Sequence, residues 1–176
     1  METGQRKIRL GMVGGGRDAF IGAIHRIAAR IDGDYELVAG ALSSTPETSR
    51  ESGQLVGLAN DRIYGDFTEM AKAEAARPDG IEAAVIVTPN HLHFPVAKAF
   101  LAQGIHVICD KPLTATMADA SAFRDAVTAS QAKFLLTHNY TGYPMVREAR
   151  RMVSEGKLGE IRLVQMEYIQ DWMAYA

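Results

Sequence analysis

Four short stretches of this sequence combine residue types that can do chemistry, and each follows an apolar run. They are Gly14-Gly15-Gly16-Arg17 with Gly22 beyond it, Ser43-Ser44, Thr88-Pro89-Asn90 with His91 and His93, and Asp110-Lys111-Pro112. A glycine-rich turn that leads into a helix points unpaired backbone N–H groups and the positive end of the helix dipole at one spot, which suits a pyrophosphate. Gly14 and Gly16 fit the first two places of a G-x-G-x-x-G dinucleotide fingerprint, whereas Gly22 lies six residues after Gly16 instead of three. Arg17 and Asp18 fill the enlarged loop, where Arg17 either meets a phosphate or is solvated. Lys111 is a different kind of candidate: a compact ammonium can hydrogen-bond a reacting oxygen and stabilise a developing alkoxide. His91 and His93 lack a third ligand and flanking carboxylates, so cap, loop or cofactor contacts suit them better than a metal, and no metal site is expected.

The elements that must hold these stretches follow from periodicity. Ile8, Leu10, Met12 and Val13 form a run suited to a strand buried on both faces. Phe20, Ile21, Ile24, Ile27, Ala28 and Ile31 recur at helical spacing, which predicts a helix whose apolar stripe faces back to that strand. Residues 35–42 form a second apolar run, and Thr45 with Pro46 marks the cap and first position of a helix reaching about Gly57. Ile63 and Tyr64 form a minimal third strand, and Asp66 caps the helix through Ala76. Residues 83–87 and 105–109 are further buried strands, with a helix over 94–103 between them. Thr116 and Asp119 make a capping pair for a helix carrying Phe123, Ala126 and Val127, and residues 134–136 are a last strand. Strands alternate with helices and end in polar loops, so the expected fold is α/β, a doubly wound parallel sheet with helices on both faces. In such sheets the ligand lies at the carboxyl ends of the strands, where all four chemical stretches fall.

After Tyr140 the pattern changes. Val146, Ala149, Met152 and Val153 predict an amphipathic helix ending near Gly156, and residues 161–169 alternate as a half-exposed strand does. Residues 1–140 are therefore expected to form a dinucleotide-binding domain, and residues 141–176 a linker helix and the first strand of an incomplete second α/β domain. Self-association as a homo-oligomer is expected through that second domain.

Bulk properties exclude several classes. The 176 residues are 47% hydrophobic and 23% charged, with 19 basic and 21 acidic residues spread along the chain, so no field recruits nucleic acid or an anionic membrane. The first residues lack the apolar core of a signal peptide, and no run is long enough to span a bilayer, which predicts a cytoplasmic protein. The single cysteine, Cys109, sits in an apolar run and is expected to be a buried, inert thiol.

Taken together, several loops resemble the Gfo/Idh/MocA oxidoreductase family, which joins a Rossmann domain to an α/β substrate domain. The likeness rests on Gly14, Gly16 and Gly22 followed by His25, on Thr88-Pro89-Asn90 with His93, on Asp110-Lys111-Pro112, which looks like the family's Glu-Lys-Pro, and on Leu158-Gly159-Glu160-Ile161. It implies hydride transfer between NAD or NADP and a hydroxyl or carbonyl carbon of a sugar, cyclitol or related small polyol. Lys111 matches the family's catalytic lysine, and the Lys111–Pro112 bond is often cis there. Cofactor contacts carried over by the likeness are Gly14, Gly16, Arg17, Gly22, Ser43, Ser44, Thr88, Pro89, Asn90, His93, Lys111, Pro112 and Asn139.

The glycine loop is enlarged relative to the family. The Asp or Glu that an NAD-binding unit carries after its second strand is replaced by Leu42-Ser43-Ser44, which removes a charge that would repel a 2′-phosphate and tilts the expectation to NADP. Tyr140 stands where many members have an arginine after the asparagine matched by Asn139. The family's Asp and His that complete proton transfer are expected beyond Ala176, so the 176-residue chain alone is expected to be inactive. Two other classes share parts of this pattern. A non-catalytic NAD(P) sensor needs no Lys111, and a SAM-dependent methyltransferase generally places an acidic residue where Leu42 to Ser44 stand.

Overall fold

The computed structural model describes residues 6–17, 19–171 and 174; Asp18 of the enlarged loop lies outside them. The chain divides into two compact units, Met1–Thr137 and His138–Ala176. The first unit holds five strands, β1 (Ile8–Gly14), β2 (Tyr35–Ala41), β3 (Ala83–Val87), β4 (His106–Cys109) and β5 (Phe134–Leu136), all parallel in the order β2-β1-β3-β4-β5. Its helices are α1 (Phe20–Ile31), α2 (Pro46–Leu55), α3 (Phe67–Ala76), α4 (His93–Leu101) and α5 (Met117–Ala129). From β1 the chain moves one way along the sheet to β2, and from β3 onward the other way. The crevice between the ends of β1 and β3 is therefore the switch point where an open α/β sheet takes its ligand.

Alternate side chains of the strands feed two cores. Val13, Ala84, Ile86, Val107 and Cys109 pack with Met70 of α3, Val96 and Phe100 of α4 and Phe123 of α5. Leu10, Met12, Ala83, Val85 and Val87 face the other way, where Ile21 and Ala29 of α1 and the loop residue Leu58 meet them. The helix starts follow the expected chemistry. Asp66 accepts from the N–H groups of Thr68 at 2.8 Å and Glu69 at 2.9 Å, and Thr116 accepts from Asp119 N at 3.1 Å. Thr45 occupies the cap position of α2 with Pro46 next to it, without a side-chain capping bond.

Three expectations need correction. Most of the expected apolar stripe of α1 does not face the sheet: Ile21 packs on the core, but Phe20 is 80% exposed and Ile31 73%, with Ile24 and Ile27 also outward. The reason is Gly22, which packs so closely on the glycine loop that α1 must turn that side inward, carrying His25, Arg26 and Ala29 with it. Ile63 and Tyr64 form no strand of their own. Ile63 makes a single bridge to Gly40, and Tyr64 N donates to Gly40 O at 2.8 Å. Residues 161–169 are irregular in place of the expected strand, and Leu163, Met166 and Ile169 are more than four-fifths exposed at 82%, 88% and 88%. An alternating segment with no neighbour to take its backbone bonds does not become a strand. The second unit instead holds a turn over Asn139–Gly142 and helix α6 (Pro144–Ser154), followed by Gly156 at φ 69°.

Under the sheet's amino end a buried ion pair ties α3 to the segment between α2 and α3. Glu74, fully buried, accepts from the Arg62 guanidinium, from Tyr64 OH at 2.8 Å and from Ile81 N at 3.1 Å. Burial and the Glu74 carboxylate push the Tyr64 phenol well above its usual range, so it stays a donor.

Candidate functional site

The ends of β1, β2 and β3 enclose a cleft of about 720 Å³. Seven of the expected residues line it: Gly14, Gly16, Arg17, Ser43, Ser44, Thr88 and Pro89. Gly22, Asn90, His93, Lys111 and Pro112 do not, and Asn139 belongs to the second unit.

The glycine loop makes the floor. Gly14 and Gly15 have φ of 78° and 73°, which only glycine adopts freely, and a Cβ on Gly14 would lie 2.9 Å from Val87 O. A Cβ on Gly16 would lie 2.8 Å from Leu42 O and from Ser52 Oγ, so β1's loop runs directly against the corner after β2. Gly15, which the fingerprint spacing passes over, is central: its carbonyl accepts from Arg26 Nη1 at 2.7 Å and Gly22 packs on its backbone. Burial lowers the pKa of Arg26, with Arg30 adding to the effect.

Two serines of α2 build the corner. Ser49 Oγ accepts from Leu42 N at 2.9 Å and donates to Tyr64 O at 2.6 Å, while Ser52 Oγ accepts from Arg17 N at 3.2 Å. Leu42 O in turn accepts from Gly16 N at 3.1 Å. Nothing in residue type singles these serines out. The available signal is their spacing, one helical turn apart, with Gly53 beside them on the buried face of α2. Ser43 Oγ accepts from Thr45 N at 3.2 Å in a local turn, and Ser44 is exposed.

Beside the cleft, β4 runs into the loop that carries Lys111. Asp110 Oδ1 accepts from Lys111 N at 2.9 Å and from Thr137 Oγ1 at 2.8 Å, and His25 Nε2 lies 3.8 Å away, too far for a hydrogen bond. Burial lowers the His25 pKa more than Asp110 raises it, so the ring is neutral at pH 7. The Lys111–Pro112 peptide is cis. His93 is 1% exposed, with Nδ1 2.6 Å from Pro112 O and Nε2 3.0 Å from Thr88 O. Expected to touch the cofactor, it has both ring nitrogens against backbone carbonyls and stands behind the loops, clamping the one after β3 to the one after β4. Cys109 is buried, and its thiol is pushed up to about 12 by burial and the neighbouring Asp110, which keeps it protonated.

The profile of the oxidoreductase family with an NAD-binding Rossmann fold, Gfo/Idh/MocA, matches residues 8–140. The chain belongs to this family. Among solved structures, an oxidoreductase from Sinorhizobium meliloti is 64% identical with a TM-score of 0.93, the match covering 96% of this chain and 47% of that one. An inositol dehydrogenase homolog from Azotobacter vinelandii, complexed with NADH and myo-inositol, is 43% identical with a TM-score of 0.85, over 89% of this chain and 41% of that one. Levoglucosan dehydrogenase of Pseudarthrobacter phenanthrenivorans is 31% identical over 96% of this chain and 43% of its own. The chain thus spans less than half the length of these Gfo/Idh/MocA relatives.

The residues present fit the dinucleotide of a Gfo/Idh/MocA Rossmann domain. Gly14 and Gly16 leave a cradle that a Cβ on either would fill. Thr88 Oγ1, at the cleft wall, is buried and has no hydrogen-bond partner among the described residues, which marks a polar atom waiting for a ligand group. The glycine loop and the Ser43-Ser44 corner would hold the pyrophosphate and the adenosine half, and Lys111 follows the adjacent strand.

Proposed function

We propose that this chain supplies the dinucleotide-binding half of a dehydrogenase acting on a sugar, cyclitol or similar small polyol, and that it takes NADPH at least as well as NADH. When bound, the nicotinamide ring gives or receives the hydride. Residues 1–140 hold the cofactor, and residues 141–176 are the linker helix and start of a substrate-binding region that also carries self-association. Lys111 hydrogen-bonds the reacting oxygen and stabilises the negative charge that develops there, while Asp110 fixes its backbone. The missing carboxylate after β2, where Ser43 and Ser44 offer hydroxyl donors, supports tolerance of a 2′-phosphate. The observation that carries the reading is the orphaned Thr88 Oγ1 beside the glycine cradle at the sheet's switch point.

Titrating the chain with NADH, NADPH and S-adenosylmethionine tests this. Both dinucleotides are expected to bind and S-adenosylmethionine not to. Binding of S-adenosylmethionine alone overturns the reading, and NADH tighter than NADPH by more than about tenfold, 1.4 kcal/mol, overturns the cofactor choice. No turnover of sugars or inositols is expected from the 176-residue chain by itself.

A further inference from the structure

Lys111 is exposed, yet the backbone on both sides of it is held. Before it, Asp110 N donates to Ile86 O of β3 at 2.9 Å, and Asp110 Oδ1 accepts from Lys111 N at 2.9 Å and from Thr137 Oγ1 at 2.8 Å. After it, Pro112 O lies 2.6 Å from His93 Nδ1. A carbonyl oxygen only accepts, so this short contact is a bond that Nδ1 donates. His93 is 1% exposed and opens α4, a helix that Val96, Ala97 and Phe100 anchor in the core, which ties Pro112 to a rigid support. The opposite ring nitrogen, Nε2, faces Thr88 O at 3.0 Å, and Thr88 lines the cleft. One buried ring therefore spans the cleft wall and the loop that carries the lysine.

We infer that His93 is a positioning residue for the hydride transfer proposed above: by donating from Nδ1 to Pro112 O it fixes the Lys111 backbone, and with it the reach of the ammonium, relative to the cleft wall at Thr88. A lysine side chain is long and flexible, so on a loose loop its charge spreads over many positions, whereas on a backbone held at both neighbours only the side chain's own rotamers remain. An amine that must meet one reacting oxygen loses much of its effect when it is misplaced by about 1 Å. His93 does not line the cleft, so it acts through Pro112 and Lys111. The inference rests on the reading of Lys111 above.

The test compares His93→Asn, His93→Gln and His93→Leu. The amide nitrogen of asparagine stands as many bonds from Cβ as Nδ1 does, and that of glutamine as many as Nε2, so only the asparagine keeps the donor toward Pro112. In the dehydrogenase that contains this chain, assayed on a panel of sugars and cyclitols that includes myo-inositol and levoglucosan, His93→Gln and His93→Leu are expected to lower kcat by about ten- to a hundredfold. The KM for the polyol and the calorimetric Kd for NADPH should stay within about threefold of the parent, and His93→Asn should keep most of kcat. In the 176-residue chain, nitrogen NMR of the imidazole is expected to find a proton on Nδ1. A bare Nδ1 overturns the inference, and so does His93→Asn falling as far as His93→Gln. Loss of kcat and NADPH affinity together in all three variants assigns the ring to core packing and overturns it too, as does no change in any. Where a variant fails to fold, the ring-nitrogen spectrum of the parent decides. A parent that turns over nothing on the panel, or a Lys111→Met variant with normal turnover, overturns the Lys111 reading and this inference with it. Loss of turnover in Lys111→Met beside a parent-like His93→Gln overturns this inference alone.

Discussion

Gly22 of α1 rests directly on Gly15 of the preceding loop: a Cβ built on Gly22 would lie 2.3 Å from the Gly15 carbonyl oxygen. The neighbour is backbone, so no rotamer change relieves the clash and the helix must lift away. Gly22→Ala is expected to cost about 3 kcal/mol, as overpacking a tight contact does. For a chain of this size that lowers the melting temperature by roughly 6–12 °C. Dinucleotide affinity is expected to fall as well, because lifting α1 breaks the Arg26 bond to Gly15 O. Differential scanning fluorimetry with and without cofactor checks both, and a parent-like melting temperature would show that the contact is slack.

Lys111 carries the chemical part of the proposal. In the enzyme acting on a sugar or polyol, Lys111→Met is expected to lower kcat by roughly 10²–10³-fold, the cost of removing one donor from a developing oxyanion. The dissociation constant for the cofactor should change only a few-fold, since Lys111 does not line the cleft. Steady-state rates paired with a binding titration separate the two, and near-normal turnover would remove Lys111 from its role.

His25 predicts an acid-side loss of stability. Its folded pKa is depressed by burial below the ordinary value near 6.5, with Asp110 only partly offsetting this, so the unfolded chain binds the proton more tightly than the folded one. The contribution is complete above about pH 6.5 and is lost as the pH falls toward the depressed folded value. Urea unfolding midpoints measured between pH 7 and 5 should fall with acidification, and His25→Gln should flatten the slope. An unchanged slope in the variant would assign the pH dependence elsewhere.

Glu74 closes the buried pair with Arg62. Glu74→Ala takes the buried carboxylate from a guanidinium that is only 9% exposed, leaving it the more exposed Asp79 at 3.5 Å, and is expected to cost about 3 kcal/mol. Replacing both, Arg62→Met with Glu74→Leu, should recover much of that loss because no charge then stays buried. Chemical denaturation of the single and double variants gives the comparison, and a double variant as unstable as Glu74→Ala would mean that the Tyr64 and Ile81 bonds to Glu74 matter more than the charge.

The strand-helix alternation and the position of every polar loop at a strand's carboxyl end were legible in the sequence, because runs such as residues 83–87 are apolar on both faces and glycine, Asp66 and Thr116 mark element ends by local chemistry. The orientation of α1 was not. Hydrophobic periodicity ranks Phe20 and Ile31 as core, but a glycine whose value lies in having no side chain sets which face turns inward. The roles of Ser49 and Ser52 were hidden for the same reason: they depend on what lies across from α2, on Leu42 and Arg17, and the isolated helix sequence contains nothing of that. His93 was expected from the sequence to touch the cofactor, and its depth was not legible, since only the fold places the carbonyls of Thr88 and Pro112 on either side of its ring.

Tyr64 belongs to two neighbourhoods. Its hydroxyl donates to the buried Glu74 carboxylate at 2.8 Å, and its carbonyl accepts from Ser49 Oγ, the same atom that takes the Leu42 N–H. The corner after β2, which lines the cleft, is thereby joined, through one residue, to the buried ion pair of Arg62 and Glu74. The Leu42 amide, held inside this chain of bonds, is therefore expected to exchange with solvent as slowly as amides of the core, whereas loops around a binding site usually fray.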